Sequence, residues 1–284
     1  MFFSKVTIIG VGLIGGSLAL SLKEKKLTAE ICGWGRSEER LKAAKKRGII
    51  DSYSLDITEA IKGADLIVLA TPVDTFEGLA TEITSSLSES PLITDVGSVK
   101  GELVYKLEEI LSQKASYVGS HPIAGSDRSG VEHASSGLFR DATTVVTPTK
   151  TTDQASLDTI KKLWMALGSR VLILSPEEHD VMLSFISHLP HVVAYALVNT
   201  VCDYNPDFLR YTGGGFKDTT RIASSSETLW ADICLYNREN LLKGIDMYIK
   251  QLELIKKALQ DNDRDQLIEI FSKAKSNRLR LNEQ

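Results

Sequence analysis

The chain has 284 residues, 43% of them hydrophobic and 25% charged, and a formal net charge of -4. That balance belongs to a folded globular protein and excludes a disordered one, while the length predicts two domains or one large α/β unit. The slightly acidic charge offers no overall positive field for nucleic acid or an anionic membrane.

Residues 1–10 run straight into a strand pattern, without the charged, apolar and cleavage regions of a signal peptide, so a cytoplasmic protein is expected. Cys32, Cys202 and Cys234 lack CxxC spacing, which predicts neither disulfides nor a zinc site. From Lys5 to about Ser175, β-branched runs alternate with helix-period stretches, the rhythm of a parallel α/β sheet. Strands are expected at 6–9, 30–34, 66–70, 92–95, 117–119, 144–147 and 171–174, and helices at 13–25, 37–47, 58–62, 101–112 and 153–167.

The character changes at Ser175-Pro176-Glu177-Glu178, where a cap serine, a first-turn proline and a glutamate three residues after the serine announce a helix. The expected domains are therefore 1–175, doubly wound and Rossmann-like, and 176–284, all-helical. Residues 181–201 are apolar on nearly every side, as in a helix buried within a bundle or between subunits, and Pro190 should kink it. The longest strongly apolar stretch, 192–198, falls far short of the roughly 20 residues that span a bilayer, so no membrane helix is expected. The chain ends at Gln284 soon after the last helix pattern, so no added regulatory or fused domain is expected.

Gly10-Val11-Gly12-Leu13-Ile14-Gly15 follows the first strand and opens a helix, the context in which GxGxxG reads as a dinucleotide site. Gly10 permits the turn, Gly12 lets backbone approach a pyrophosphate, and Gly15 lets helix and strand pack closely. Leu13 and Ile14 begin the phosphate-facing helix, and Thr71 and Pro72, just past the 66–70 strand, are further cofactor candidates. Where NAD-binding versions carry an acid at the end of the second strand, this chain has Gly35 followed by Arg36 and Ser37, a cation and a hydroxyl suited to a 2′-phosphate. NADP is expected over NAD; the alternative has Glu38 or Glu39 at the ribose.

Four further segments carry unusual side chains: Thr94-Asp95-Val96-Gly97-Ser98-Val99-Lys100, Gly119-Ser120-His121-Pro122-Ile123-Ala124-Gly125, Ser187-His188-Leu189-Pro190-His191, and Gly215-Phe216-Lys217-Asp218-Thr219-Thr220-Arg221. At these residues the sequence resembles the prephenate/arogenate dehydrogenase family, and the resemblance runs from Val6 to the last helices. It implies a Rossmann-like domain, an all-helical domain that forms a homodimer, and a site in the cleft between them. The implied reaction is oxidative decarboxylation of prephenate to 4-hydroxyphenylpyruvate, or of arogenate to tyrosine, with hydride passing to NADP or NAD.

The resemblance further implies that His121 accepts the proton of the substrate's ring hydroxyl while Ser98 orients that hydroxyl and His121. Both are expected directly after strands, at the carboxyl edge where open α/β sheets bind ligands, and imidazole has the pKa for the task. Arg221 is implied to hold the ring carboxylate in a bidentate contact. His191 lies near the substrate's side chain, where it could donate to a pyruvyl group, and Trp230 matches an aromatic near the site. Asp127 and Asp218 match acidic positions that can pair with Arg221 and gate the cleft, although Asp127 is shorter than the glutamate often found there. Tyrosine, which shares contacts with substrate and product, is a possible inhibitor. No metal is required, and His179 is the only obvious candidate for a third ligand beside His188 and His191.

Two other readings are open. A β-hydroxyacid dehydrogenase would need a lysine on the first helix of the second domain, but no Lys lies between Lys162 and Lys217. A non-catalytic NAD(P)-binding sensor would keep the fold and lose the catalytic groups, whereas Ser98, His121 and Arg221 are all present.

Overall fold

The computed structural model describes residues 2–112, 114–125 and 130–282. Asp127 lies outside the described residues. Strands β1 (Phe3–Ile9), β2 (Thr28–Trp34), β3 (Ser52–Ser54), β4 (Leu66–Leu69), β5 (Leu92–Asp95), β6 (Ser116–Ile123), β7 (Thr143–Thr147) and β8 (Arg170–Ile173) form one eight-stranded sheet. Their order is β3-β2-β1-β4-β5-β6-β7-β8, and every pairing is parallel except that of β6 with β7. The order reverses between β1 and β4, the switch point outside which open α/β sheets bind ligands.

Helices α1 (Leu13–Glu24), α2 (Glu38–Lys46), α3 (Ile57–Ile61), α4 (Phe76–Ser86), α5 (Gly101–Leu111) and α6 (Gln154–Ala166) connect the strands. Successive strand residues feed opposite faces: Val68 packs with Leu18 and Trp164, while Ile67 and Leu69 pack with Phe76 and Leu107. Burial on both faces explains why Leu66–Leu69 reads as an unbroken apolar run. The sheet is thus doubly wound, as expected.

Three features depart from the sequence expectations. β3 and α4 were not anticipated: β3 is a polar three-residue edge strand, and α4 contains Gly78 and two threonines that weaken its propensity. Burial of Phe76, Leu79, Ala80 and Ile83 along one face of α4 overrides that propensity. β6 runs past the expected 117–119, because antiparallel β7 pairs with residues 119–123 after the parallel partner β5 ends opposite Val118. His121 therefore sits inside a strand, opposite Val145, rather than just after one.

Beyond residue 175 the described elements are helical: α7 (Pro176–Leu183), a π-helical turn at Ser184–His188, α8 (Leu189–Tyr204), α9 (Gly214–Thr220) and α10 (Glu227–Tyr236). Ser175 and Glu178 form the anticipated capping box on α7. Pro190 enters in the first turn of α8, where the missing N–H is best tolerated, directly after the π turn.

Pro176–Tyr204 is 29 residues of continuous helix, within which an 18-residue stretch has a mean hydropathy of 1.7, enough by length and composition alone to cross a membrane. Its charged residues gather at the two ends, Glu177, Glu178 and Asp180 at one and Asp203 at the other, so the part between is apolar although its longest unbroken apolar stretch, 192–198, is short. It carries His179, Asp180, His188 and His191, whose partners are protein groups described below.

The chain forms two compact units, Met1–Asn237 and Arg238–Gln284. The second consists of α11 (Arg238–Gln260), α12 (Arg264–Leu279) and a final 3-10 turn, with Asp263 capping α12 through its bond to the Gln266 N–H.

Candidate active site

The glycine fingerprint occupies the switch point. Gly10 has φ +101°, and a Cβ there would lie 2.7 Å from the Ala70 carbonyl oxygen at the end of β4. A Cβ on Gly15 would overlap the Gly10 carbonyl, so α1 can lie this close to β1 only without a side chain. At Gly12 a Cβ would meet nothing within 4 Å, which leaves a bare backbone cradle at the N-cap of α1. A pyrophosphate fits that cradle, where N–H groups and the helix dipole favour an anion.

Leu13 and Ile14 form the half-buried first residues of α1. Past β4, the Thr71 hydroxyl bonds the Thr75 hydroxyl at 2.7 Å and Pro72 is exposed. Past β2, Arg36 is exposed and makes no ion pair among the described residues. Ser37 caps α2, its Oγ accepting the Arg40 N–H at 3.4 Å, which leaves the hydroxyl proton free to donate. Glu38 is engaged by Lys42 at 3.0 Å and by the Tyr53 hydroxyl at 3.4 Å.

A hydrogen-bonded series of three side chains runs into the helical half. His121 Nδ1 lies 2.8 Å from His179 Nε2, and His179 Nδ1 lies 2.7 Å from Asp180 Oδ1. Asp180 Oδ1 also accepts the Lys100 backbone N–H at 2.8 Å. A Cβ at Gly101 would be 2.6 Å from Asp180 Oδ2, so the glycine permits this approach of α7 to the start of α5.

The series sets the ring tautomers. A carboxylate only accepts, so His179 carries its proton on Nδ1 and presents a lone pair at Nε2; His121 must then donate from Nδ1. The consequence is a lone pair on His121 Nε2. Burial first, then His179, Lys100 and His188, holds the His121 pKa well below its ordinary value. Burial and the Lys100 charge hold His179 down as well, so its contact with Asp180 is a hydrogen bond from a neutral ring rather than an ion pair. Burial pushes Asp180 up to about 6, against the pull of Lys100, and it remains mainly ionised at neutral pH.

Ser98 lies in a loop held by buried charge. Lys100, 1% exposed, places Nζ 2.6 Å from Asp95 Oδ2 and 2.8 Å from the Gly97 carbonyl. Asp95 also accepts the Tyr117 hydroxyl at 2.9 Å and the Ser120 N–H at 3.1 Å. With every partner satisfied, the desolvated pair fixes the course of the loop between β5 and α5. The half-buried Ser98 hydroxyl makes no hydrogen bond to His121 among the described residues.

A second group gathers around Trp230 of α10. His191 stacks on the indole with ring centroids 3.4 Å apart, and His188 meets its edge at 6.0 Å. His188 Nδ1 receives the Asn237 side-chain N–H at 3.1 Å, while the same amide donates to the Asp180 carbonyl at 2.7 Å. Burial lowers the His188 pKa to about 4. Arg221 opens the 3-10 turn Arg221–Ser224, exposed and without an ion pair among the described residues, and its charge acts on His191. Asp218 is also exposed and forms no ion pair with Arg221. Among the described residues no group of three His, Cys, Asp or Glu side chains is placed to hold a metal ion.

The structure brings His121 together with His179 and Asp180, and His191 together with Trp230. Sequence reading missed Asp95, Lys100, Asp180 and Asn237 as site-forming residues and weighed His179 only as a metal ligand. The capping box was the one usable signal: it fixes the start of α7 and hence places His179 and Asp180 in its second turn.

Two family descriptions match the chain: "Prephenate dehydrogenase, nucleotide-binding domain" over residues 18–173 and "Prephenate dehydrogenase, dimerization domain" over 175–273. The chain is 37% identical to a prephenate dehydrogenase of Bacillus subtilis, covering 96% of this chain and 75% of that protein. It is 34% identical to a cyclohexadienyl dehydrogenase of Zymomonas mobilis, covering 98% and 96%. A crystal structure of prephenate dehydrogenase from A. aeolicus, in complex with hydroxyphenyl propionate and NAD+, superimposes with a TM-score of 0.93 at 40% identity, covering 98% of each chain.

Proposed function

The chain belongs to the prephenate dehydrogenase family, and from that premise we propose that it converts prephenate to 4-hydroxyphenylpyruvate and carbon dioxide, with NADP as the preferred hydride acceptor. The enzyme is an NAD(P)-dependent oxidoreductase. The observation that carries the proposal is the Asp180–His179–His121 series, which leaves an unprotonated His121 Nε2 in a buried setting.

The bound nicotinamide supplies the acceptor for the hydride that leaves the ring carbon bearing the hydroxyl. His121 Nε2 accepts the hydroxyl proton as that hydride departs, so charge does not build up on oxygen. Breaking the bond to the ring carboxylate releases carbon dioxide and sends its electron pair into the ring, which becomes aromatic. The proton on Nε2 then returns to the phenolate oxygen, and His121 ends neutral. Ser98 orients the hydroxyl, and Trp230 and His191 line the side-chain end. Asp127, by the family resemblance, belongs to the substrate side as well.

Arg221 binds the ring carboxylate, since it is a guanidinium with no competing ion pair among the described residues. Arg221→Ala should raise KM about 100-fold with a much smaller change in kcat, as loss of a charge-assisted contact made equally in ground and transition states would. Steady-state kinetics with prephenate checks this.

NADP preference rests on Arg36 and Ser37 beyond β2 and on the engagement of Glu38 by Lys42 and Tyr53. Gly10, Gly12, Leu13, Ile14, Gly15, Thr71 and Pro72 surround the dinucleotide. Arg36→Ala should lower the NADP-to-NAD ratio of kcat/KM about 10- to 100-fold, mainly through the NADP value.

We further propose a Rossmann-like domain at 1–175, a helical substrate and dimerisation domain at 176–284, a homodimer, and a cytoplasmic setting. The dimer accounts for the exposed apolar side chains Phe185, Ile186, Phe208 and Leu235, and the three free thiols suit a reducing compartment. Tyrosine competes for the same contacts as the product.

Initial rates of reduced-nucleotide formation with prephenate and arogenate, each with NAD and NADP, test the whole reading. Turnover of prephenate with NADP above the other combinations supports it. No turnover with either substrate overturns it.

A further inference from the structure

His191 has a fixed donor and acceptor polarity. Its Nδ1 lies 2.9 Å from the Ser187 carbonyl oxygen, one turn back along the helix. A carbonyl only accepts, so Nδ1 carries the proton, and in the neutral ring Nε2 is an acceptor. No hydrogen bond engages Nε2 among the described residues, and the ring is half-buried against Trp230. Stacking at 3.4 Å and 20° between planes covers one face of the ring and leaves its Nε2 edge for a ligand.

The two substrates differ at the group this edge would meet. Prephenate carries a keto oxygen, which only accepts; arogenate carries an ammonium, which only donates. Neutral His191 therefore matches arogenate, and donation to prephenate requires the imidazolium.

We propose that His191 selects between amino and keto substrates by its own protonation, so that the arogenate-to-prephenate ratio rises with pH. The proposal rests on the dehydrogenase reading above and deepens it. The charged or titratable groups facing His191 are Arg221 on the adjoining turn and His188 one turn earlier; Trp230 of α10 is uncharged. Burial and Arg221 favour the neutral ring, while the Ser187 carbonyl favours the imidazolium. A dianionic keto substrate would add further support for the imidazolium, and an ammonium would oppose it.

The test is kcat/KM for each substrate across about pH 5.5 to 8.5, the range in which imidazole titrates, at saturating cofactor. His121 acts on both substrates, so its titration divides out of the ratio. The wild-type arogenate-to-prephenate ratio should climb about tenfold per pH unit, as a single proton demands. In His191→Asn it should be flat, because a carboxamide donates and accepts at every pH.

A flat wild-type ratio, an equal slope in His191→Asn, or use of one substrate alone at every pH overturns the proposal. Failure to oxidise either substrate sinks the dehydrogenase reading instead. Nitrogen-15 NMR of the ring is independent of turnover: a neutral His191 ring with its proton on Nδ1 supports the selection device, and a neutral ring with its proton on Nε2 overturns it.

Discussion

His121→Asn is expected to lower kcat by about 10³- to 10⁴-fold while leaving NADP affinity, measured by fluorescence titration, within a few-fold of wild type. Asparagine occupies a similar volume, and its amide N–H can still donate to His179 Nε2, so the 2.8 Å contact has a replacement and the fold has little reason to change. What is lost is the only proton acceptor that the series presents at that point. The pH profile adds a second reading. A histidine whose pKa is lowered stays in its base form as pH falls through 6.5, so the wild-type kcat at saturating substrate should hold through that value and fall only at lower pH. A loss below tenfold, or an acid limb centred above pH 6.5, would remove His121 from the role of base.

Asp180→Ala tests the tautomer series at its far end, with an expected fall in kcat of about 10²- to 10³-fold and little change in KM. With no acceptor left at Nδ1, His179 is no longer held to one tautomer and can carry its proton on Nε2. His121 Nδ1 would then have to accept, and its Nε2 would carry a proton where a lone pair is needed. The charge itself is no great loss to the fold. Asp180 is pushed up to about 6, so the folded state holds its proton more tightly than the unfolded chain does. That contribution to stability is lost as pH rises from 3.8 through 6, and at neutral pH the ionised side chain is already disfavoured by burial. A thermal melt of the variant should therefore report only the lost partner of the Lys100 N–H, about 1–3 kcal/mol, which separates proton placement from unfolding. A fall in kcat matched by an equal rise in KM would point to a substrate contact, and unchanged kinetics would show that His121 needs no tautomer control.

The same comparison between local chemistry and long-range placement explains what could be read early. The fingerprint Gly10–Gly15 was legible because its function is local: a turn, a bare backbone and a helix start lie within a few residues. The switch of architecture at Ser175 was legible for the same reason, since a capping box is a contact across three residues. His121 was legible through the family resemblance of its segment, but its place inside β6 was not, because the extension depends on β7, more than 20 residues away in sequence.

By itself the sequence determined the doubly wound sheet, the helical second half, the dinucleotide fingerprint and the chemical kinds present near the substrate. Alternation of apolar residues, capping and glycine spacing are written in neighbouring positions, so they survive without a tertiary context. The tertiary structure alone decided which nitrogen of each histidine holds its proton. That choice depends on partners remote in the chain: Asp180 reaches His121 through His179, and Lys100 closes the loop of Ser98 while its N–H meets Asp180. A histidine in a sequence is a residue with two equivalent tautomers, and only a carboxylate or carbonyl brought against one nitrogen makes the other a base.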